Sequence, residues 1–521
     1  MEDQRTAMAK YCPNPGYPGQ ARRFILGKGT SAMRQCTLLA IVAVLAAGCS
    51  KSDSNVQVGQ MDYLKGFIGG VAADEPRAAL VARDILSAGG SAADAAAAAA
   101  LAYAVTYPSA GGLGAGGVCV VGDGPTKRIE TIEFPIVAPK NGGNVTVPPL
   151  VRGIGLLQSR YGKLRWEAAV TPAEQLARFG EPASRAFVQA AVETIPPVTA
   201  SPSLTPIFGT ARGLVPQEGE RRVQLALAGT LGRLRTAGPG DLYQGQLAHI
   251  LLADSRALGG SLTAEELRGY TATIGKPIEV PFENNVTFYA SNNAAGGAVA
   301  AWLIEQAYDG GSLIGSGSMK PDKFAAALGQ AYRAEPPLTM YGFGSASIAV
   351  IDSKGMAVSC AFGMGPAYGS RLVGRETGIL FGALPGTAGE ETAYLTAVVG
   401  INKRVSLTYY AAGGSGGAPA PAAVAYSLLQ AAFSKAKDPT TPALGAPRLF
   451  QANPQAPLQH EPGADPAALA GARSRGVSVA EFGRLGRVNL AYCSNGLPRS
   501  PETCSFAADR RGYGLSLGRQ F

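Results

Sequence analysis

A mixed α+β domain is what this sequence predicts, and three patterns carry the prediction. Two β-branched and apolar runs, Ser347–Asp352 and Met356–Phe362, flank the turn residues Ser353-Lys354-Gly355 and read as a buried hairpin. Two helical segments lie much earlier, at Pro76–Ala88 and Ala92–Val105. After them a Gly-rich segment, 111–117, opens the apolar strand Val118–Val121.

Composition sets the outer bounds. With 46% hydrophobic and 16% charged residues, the 521-residue chain can bury a large core and is not disordered by composition. Length alone allows about two to four domains. The net charge of +9 is spread along the chain rather than gathered into a basic stripe with aromatics, which argues against a nucleic-acid partner.

The N-terminal region reads as an address. Met33-Arg34 precedes a short apolar run, Thr37–Ala47, too short to span a bilayer, and then Ala46-Ala47-Gly48-Cys49. Small residues before a cysteine resemble a bacterial lipobox, which makes Cys49 the expected lipidated first residue. Ser50 after it suits the outer membrane. Residues 1–48 are therefore read as an extension plus lipoprotein signal, and 49–65 as a tether leaving the globular part in the periplasm.

The elements of the globular part follow in order. Pro76–Ala88 carries apolar residues at helical spacing and stops at Gly89-Gly90. Ser91 and Asp94 form a capping box for a second helix made almost wholly of alanine, suited to close packing. Gly112, Gly114 and Gly117 match a dinucleotide fingerprint, but the glycines follow a helix and open a strand, the reverse of what that motif requires, so no nucleotide cofactor is expected. A helix is expected over Ala420–Lys435, and the Pro-, Ala- and Gln-rich stretch Asp438–Pro462 reads as a surface loop.

The chemistry centres on Ser345, just before the hairpin. A serine hydroxyl needs a base, usually histidine, and the chain has only His249, in a helical stretch, and His460, in a proline-rich one. Another base exists if the Gly344-Ser345 bond breaks: the new α-amino group of Ser345, since such amines ordinarily titrate at about 7.7 to 8. Gly344, lacking a Cβ, tolerates the backbone geometry of an intramolecular attack on its carbonyl. The plainer alternative is that Gly344-Ser345 is only a strand entry.

Several collinear segments carry a resemblance. GGSAADAAAAAALAYAVTYPSAGGLGAGG (89–117), VPPLVRGIGLLQSRYGKLRWEAAVTPAEQLARFG (147–180), LYQGQLAHILLADSRALGGSLTAEELRGY (242–270), AAGGAVAAWLIEQ (294–306) and EPGADPAALAGARSRG (461–476) resemble the γ-glutamyltransferase family in its own order. The resemblance implies the four-layer αββα sandwich of N-terminal nucleophile hydrolases, matured by self-cleavage before the nucleophile. The family's nucleophile motif falls on Ser345–Asp352, and its oxyanion-hole glycine pair on Gly416 and Gly417. It thus implies a large part, 66–344, a small part, 345–521, and the two cleaved parts as each other's partners. An ordinary loop before a helix remains the alternative for the glycine pair.

The departures from the family concern substrate binding. The arginine that grips the substrate carboxylate is replaced by Pro135, which cannot form a bidentate ion pair. Arg371 or Arg375 is the cation that could take its place. Two polar positions after the nucleophile strand fall on Gly363 and Gly365, and the acidic pair that binds the substrate amino group falls on Gly386 and Thr387. The expectation is an amidohydrolase or acyltransferase acting on a small-molecule amide or peptide; the alternative is an inactive envelope lipoprotein that keeps the fold as a binding or structural module. Cys493 and Cys504 are expected to form a disulfide in an oxidising compartment, whereas Cys119 and Cys360 are expected as buried free thiols. No cysteine or histidine spacing resembles a metal site.

Overall fold

The structure is a computed structural model that describes residues 66–292, 295–309, 318–332, 342–387 and 391–518. The stretches expected as extension, lipoprotein signal and tether, Cys49 among them, lie outside the described residues. Among the described residues no helix is long and apolar enough to cross a membrane.

The strands of the two main sheets are numbered in chain order. The part before Ser345 supplies β1 (Gly69–Ala73), β2 (Gly116–Asp123), β3 (Arg128–Phe134), β4 (Thr273–Gly275), β5 (Ile278–Pro281) and β6 (Thr287–Ala290). The part from Ser345 onward supplies β7 (Ser345–Asp352), β8 (Met356–Gly363), β9 (Thr396–Asn402), β10 (Leu407–Ser415), β11 (Arg487–Leu497), β12 (Cys504–Ala508) and β13 (Leu515–Leu517). One sheet runs β13-β1-β7-β8-β2-β3-β4 and the other β12-β11-β10-β9-β6-β5. Each sheet mixes strands from both sides of Ser345, so the two parts share one fold rather than forming separate domains.

The expected hairpin is β7 and β8, paired antiparallel from Ser345 opposite Gly363 to Ile351 opposite Ala357. Alternation along β7 assigns its faces. Ala346, Ile348 and Val350 join the cluster beneath the helices, while Ala349 and Ile351 join the cluster between the sheets. Polar groups also bridge the two sheets, since Ser347 Oγ donates to Gly413 O at 3.0 Å and Ser359 Oγ to Ala412 O at 2.7 Å.

Helices cover both outer faces. Over the first sheet lie α1 (Pro76–Ser87) and α2 (Ala92–Thr106), and the Ser91–Asp94 capping box is present. Every residue of α2 is buried. A helix apolar all round belongs inside, and side chains of one methyl let it pack directly on α1 and on β7 and β8. Over the second sheet lie α3 (Ala295–Ala307) and α4 (Ala420–Ala432), whose apolar residues share one cluster with the outward faces of β9–β11. The result is the four-layer αββα arrangement.

Two expectations need correction. Cys119 and Cys360 are not free thiols but a disulfide, because they stand directly opposite each other on β2 and β8, with Cα atoms 4.0 Å apart. Sequence distance hid this pairing. Cys493 and Cys504 are also disulfide-bonded, opposite each other on β11 and β12. The stretch Asp438–Pro462 is not merely a surface loop, since it contains the short helix Thr440–Gly445 and the strands Leu449–Phe450 and Leu458–His460. Leu449, Phe450 and Leu458 are buried against the helical layer of the second sheet, an apolar anchor that outweighs the turn-forming composition around them.

Candidate active site

Ser345 is the first residue of β7 and is 1% exposed. Its Oγ donates to the Glu391 carboxylate and accepts the Gly416 N–H at 2.8 Å. The same carboxylate accepts the Gly344 N–H at 2.9 Å. Gly344 O, the carbonyl of the bond before Ser345, accepts the Met364 N–H at 2.8 Å. Arg487 closes the set: its guanidinium donates to Ser345 O at 2.9 Å and to Gly342 O at 2.8 Å. The peptide preceding Ser345 is thus held at its amides, its carbonyl and the adjacent hydroxyl.

The local backbone explains the glycines. A Cβ at Gly344 would meet Gly365 O at 2.3 Å and Ala367 N at 2.8 Å, so glycine is required there by close approach of another strand of backbone. Gly416 and Gly417 both lie in the left-handed region, with φ of 92° and 79°, which glycine adopts without a Cβ penalty. Such consecutive residues can turn their N–H groups toward one concavity. At this pair the Gly416 N–H is aimed at the Ser345 hydroxyl.

Asp74, immediately after β1, ties these pieces together. Its carboxylate accepts Ser347 N–H at 2.8 Å, Ser415 Oγ at 2.7 Å and Asn489 Nδ2 at 3.0 Å. The strand bearing Ser345 and the strand end leading to Gly416 are therefore fixed to one buried residue. Tyr103 of α2 adds a second tie, its hydroxyl accepting Asp74 N–H and donating to Ser347 O.

Glu391 is the ionisable group that accepts the Ser345 hydroxyl. Burial pushes its carboxyl above the ordinary value, against the opposing charge of Arg487 and the hydrogen bonds from Ser345 and Gly344. Arg487 itself is 1% exposed and lies 5.1 Å over the Phe343 ring.

A cavity of about 680 Å³ adjoins this cluster, with Gly342, Phe343 and Glu391 in its wall. Its lining is mainly apolar, including Ile195, Pro196, Pro366, Ala367 and Leu384. Arg371 reaches it, but the guanidinium is occupied with the carbonyls of Pro196 and Pro197 at 2.7 and 2.8 Å. Arg375 is exposed and not part of that wall. Pro135 lines a separate cavity of about 260 Å³, and Thr387, in the larger wall, bonds back to Leu384 O at 2.5 Å. Gly363 sits opposite Ser345, where a Cβ would meet Thr392 Cγ2 at 2.9 Å.

The structure thus brings Gly344, Ser345 and Gly416 together, with Gly417 next in the chain. His249 is exposed on the helix Gln246–Ala257, and His460 bonds the Glu461 carbonyl at 3.1 Å. Glu391, Met364, Arg487 and Asp74 escaped the sequence reading. For Glu391 a signal exists: Glu390-Glu391 is the acidic pair in the otherwise uncharged stretch 382–393, a few residues beyond Gly386 and Thr387. Met364 acts through its backbone and left no side-chain signal, while Arg487 and Asp74 are remote in sequence.

Comparison with known proteins places this geometry in a class. The architecture superposes on a cephalosporin acylase from Bacillus halodurans with a TM-score of 0.68 at 20% identity, covering 90% of this chain and 99% of that one. The fold is that of the N-terminal nucleophile hydrolases. Within that fold the family model Gamma-glutamyltranspeptidase matches residues 78–331, just under half of the chain. Similar curated proteins include a glutathione hydrolase proenzyme of Pseudomonas aeruginosa, 31% identical over 258 residues, covering 45% of each chain. Scoloptoxin SSD14 of Scolopendra dehaani is 28% identical over 251 residues, covering 45% of this chain and 44% of that protein. The chain thus matches less than half the length of these relatives, and the family match ends before Ser345.

Proposed function

We propose that this chain is a γ-glutamyltransferase-type amidohydrolase and acyltransferase that cuts itself between Gly344 and Ser345 and then uses Ser345 as its N-terminal nucleophile. The observation that carries the reading is the seating of Ser345: a buried hydroxyl between a carboxylate and the Gly416 N–H, beside a carbonyl already hydrogen-bonded by Met364. In the mature enzyme the Ser345 hydroxyl attacks an amide carbonyl and its free amine carries the proton to the leaving nitrogen. Gly416 and Gly417 supply N–H groups for the oxyanion, and water or an amine resolves the ester.

The substrate is a small-molecule or peptide amide with a less polar acyl group than a free γ-glutamyl residue. A zwitterionic head group needs an opposite charge for each end, and Pro135 and Thr387 offer none. The cleaved parts remain together as a heterodimer because both sheets interleave their strands. The lipobox-like sequence supports attachment through a lipid on Cys49 to the outer membrane, facing the periplasm.

Purified protein should give two fragments on a reducing gel, one ending at Gly344 and one beginning at Ser345, and Ser345→Ala a single chain. Cys119 and Cys360 flank the cut, so the unreduced wild type should still migrate as one species. Intact mass of the membrane-extracted N-terminal fragment should show an acylated Cys49; an unmodified or absent Cys49 refutes the anchor. A wild type that stays one chain after reduction refutes self-cleavage and favours the inactive binding module.

A further inference from the structure

We propose that Glu391 is the proton shuttle of the self-cleavage and that the Met364 N–H is its oxyanion donor, a role that rests on the self-cleavage reading above. Before cleavage the α-amine of Ser345 is locked in an amide, so it cannot serve as the base. The precursor needs another proton acceptor beside the hydroxyl. Glu391 is that group: one carboxylate accepts both the Ser345 hydroxyl and the Gly344 N–H, with the Ser345 amide also against it.

The step balances within these atoms. Ser345 Oγ forms a bond to the Gly344 carbonyl carbon while its proton passes to Glu391. Negative charge collects on Gly344 O, which the Met364 N–H already meets at 2.8 Å. The bond between Gly344 C and Ser345 N then breaks as Glu391 returns the proton to that nitrogen. The products are an ester on Ser345 Oγ and a free Ser345 amine. Water next adds to the ester carbonyl, giving the Gly344 carboxylate and restoring the hydroxyl, and Glu391 is unchanged overall.

Arg487 is the charged group facing Glu391 from β11, yet its N–H groups reach the Gly342 and Ser345 carbonyls. It fixes the peptide while its charge tempers the effect of burial on Glu391. The groups facing Glu391 from β7 and its entry are the Ser345 hydroxyl and neutral amides.

The test follows pulse-labelled full-length chain, synthesised in vitro under oxidising conditions, on reducing gels over time. Glu391→Gln should slow the appearance of the fragments by about a hundredfold or more, the scale of general acid–base catalysis. Glu391→Asp, which keeps the carboxylate, should cleave faster than Glu391→Gln. The wild-type rate should rise with pH as Glu391 ionises and then level, a dependence absent from Glu391→Gln. Cleavage of Glu391→Gln at the wild-type rate, or equal rates for the Gln and Asp variants, overturns the role of Glu391 while leaving self-cleavage intact. A wild type that never cleaves overturns the self-cleavage reading and this role together.

Discussion

On one side of Ser345 the Gly344-Ser345 peptide is met at its carbonyl, amides and hydroxyl by Met364, Glu391, Gly416 and Arg487. On the other side, the cavity beside Gly342 and Phe343 is mainly apolar, and the guanidinium that the described residues place in its wall, Arg371, is bonded to the carbonyls of Pro196 and Pro197. The difference follows from what supplies each region. Bond-cutting geometry draws largely on backbone N–H groups fixed by strand register and turn conformation, which survive wide changes of side chain. Recognition of a charged head group depends on a few side chains, which single replacements can remove.

Three measurements sharpen or break this contrast. The largest effect is expected at Gly344, where an added Cβ meets Gly365 O at 2.3 Å and must displace the Gly344-Ser345 peptide. Gly344→Ala should slow self-cleavage by about a hundredfold, the scale of misplaced reacting groups. An unaffected rate would mean that the tight backbone seat is irrelevant to cleavage. The cavity side predicts a smaller discrimination. Among p-nitroanilides, an apolar acyl group should give kcat/KM about tenfold to a hundredfold above the γ-glutamyl one, since unpaired charges cost about 1–3 kcal/mol or more. Preference for the γ-glutamyl compound would show the cavity to be equipped for a zwitterion after all.

The smallest effect concerns acid. Asp509 is buried; desolvation alone would raise its carboxyl, but Arg448 and Arg511 outweigh it and hold the pKa below the ordinary value. A carboxylate depressed in the fold contributes stability that is present above the unfolded pKa, near 4, and is lost as pH falls through the folded one. Asp509 also accepts the Val488 N–H at 2.9 Å, next to Arg487, so the loss bears on the strand whose Arg487 holds the Ser345 and Gly342 carbonyls. The unfolding free energy should drop by about 1–3 kcal/mol between pH 5 and pH 2 on account of this group. Asp509→Asn, measured by urea unfolding, should flatten that slope; an unchanged slope would assign the acid sensitivity elsewhere.

Much of this protein was determined by the sequence alone because the signals are local. The period-two runs around Ser353-Lys354-Gly355 and the Ser91–Asp94 box each act within a few residues, and each appears where the pattern calls for it. Ser345 could be picked out because a hydroxyl with no available histidine poses a chemical question whatever the fold. Tertiary structure alone decided the partners. Cys119 meets Cys360 across 241 residues, Asp74 meets Asn489 and Ser415 across the two sheets, and Glu391 arrives beside Ser345 from the start of the 3-10 turn Thr392–Tyr394. These pairings depend on which strands lie side by side and in what register. That is set by the summed packing of four layers, which no short stretch of sequence encodes.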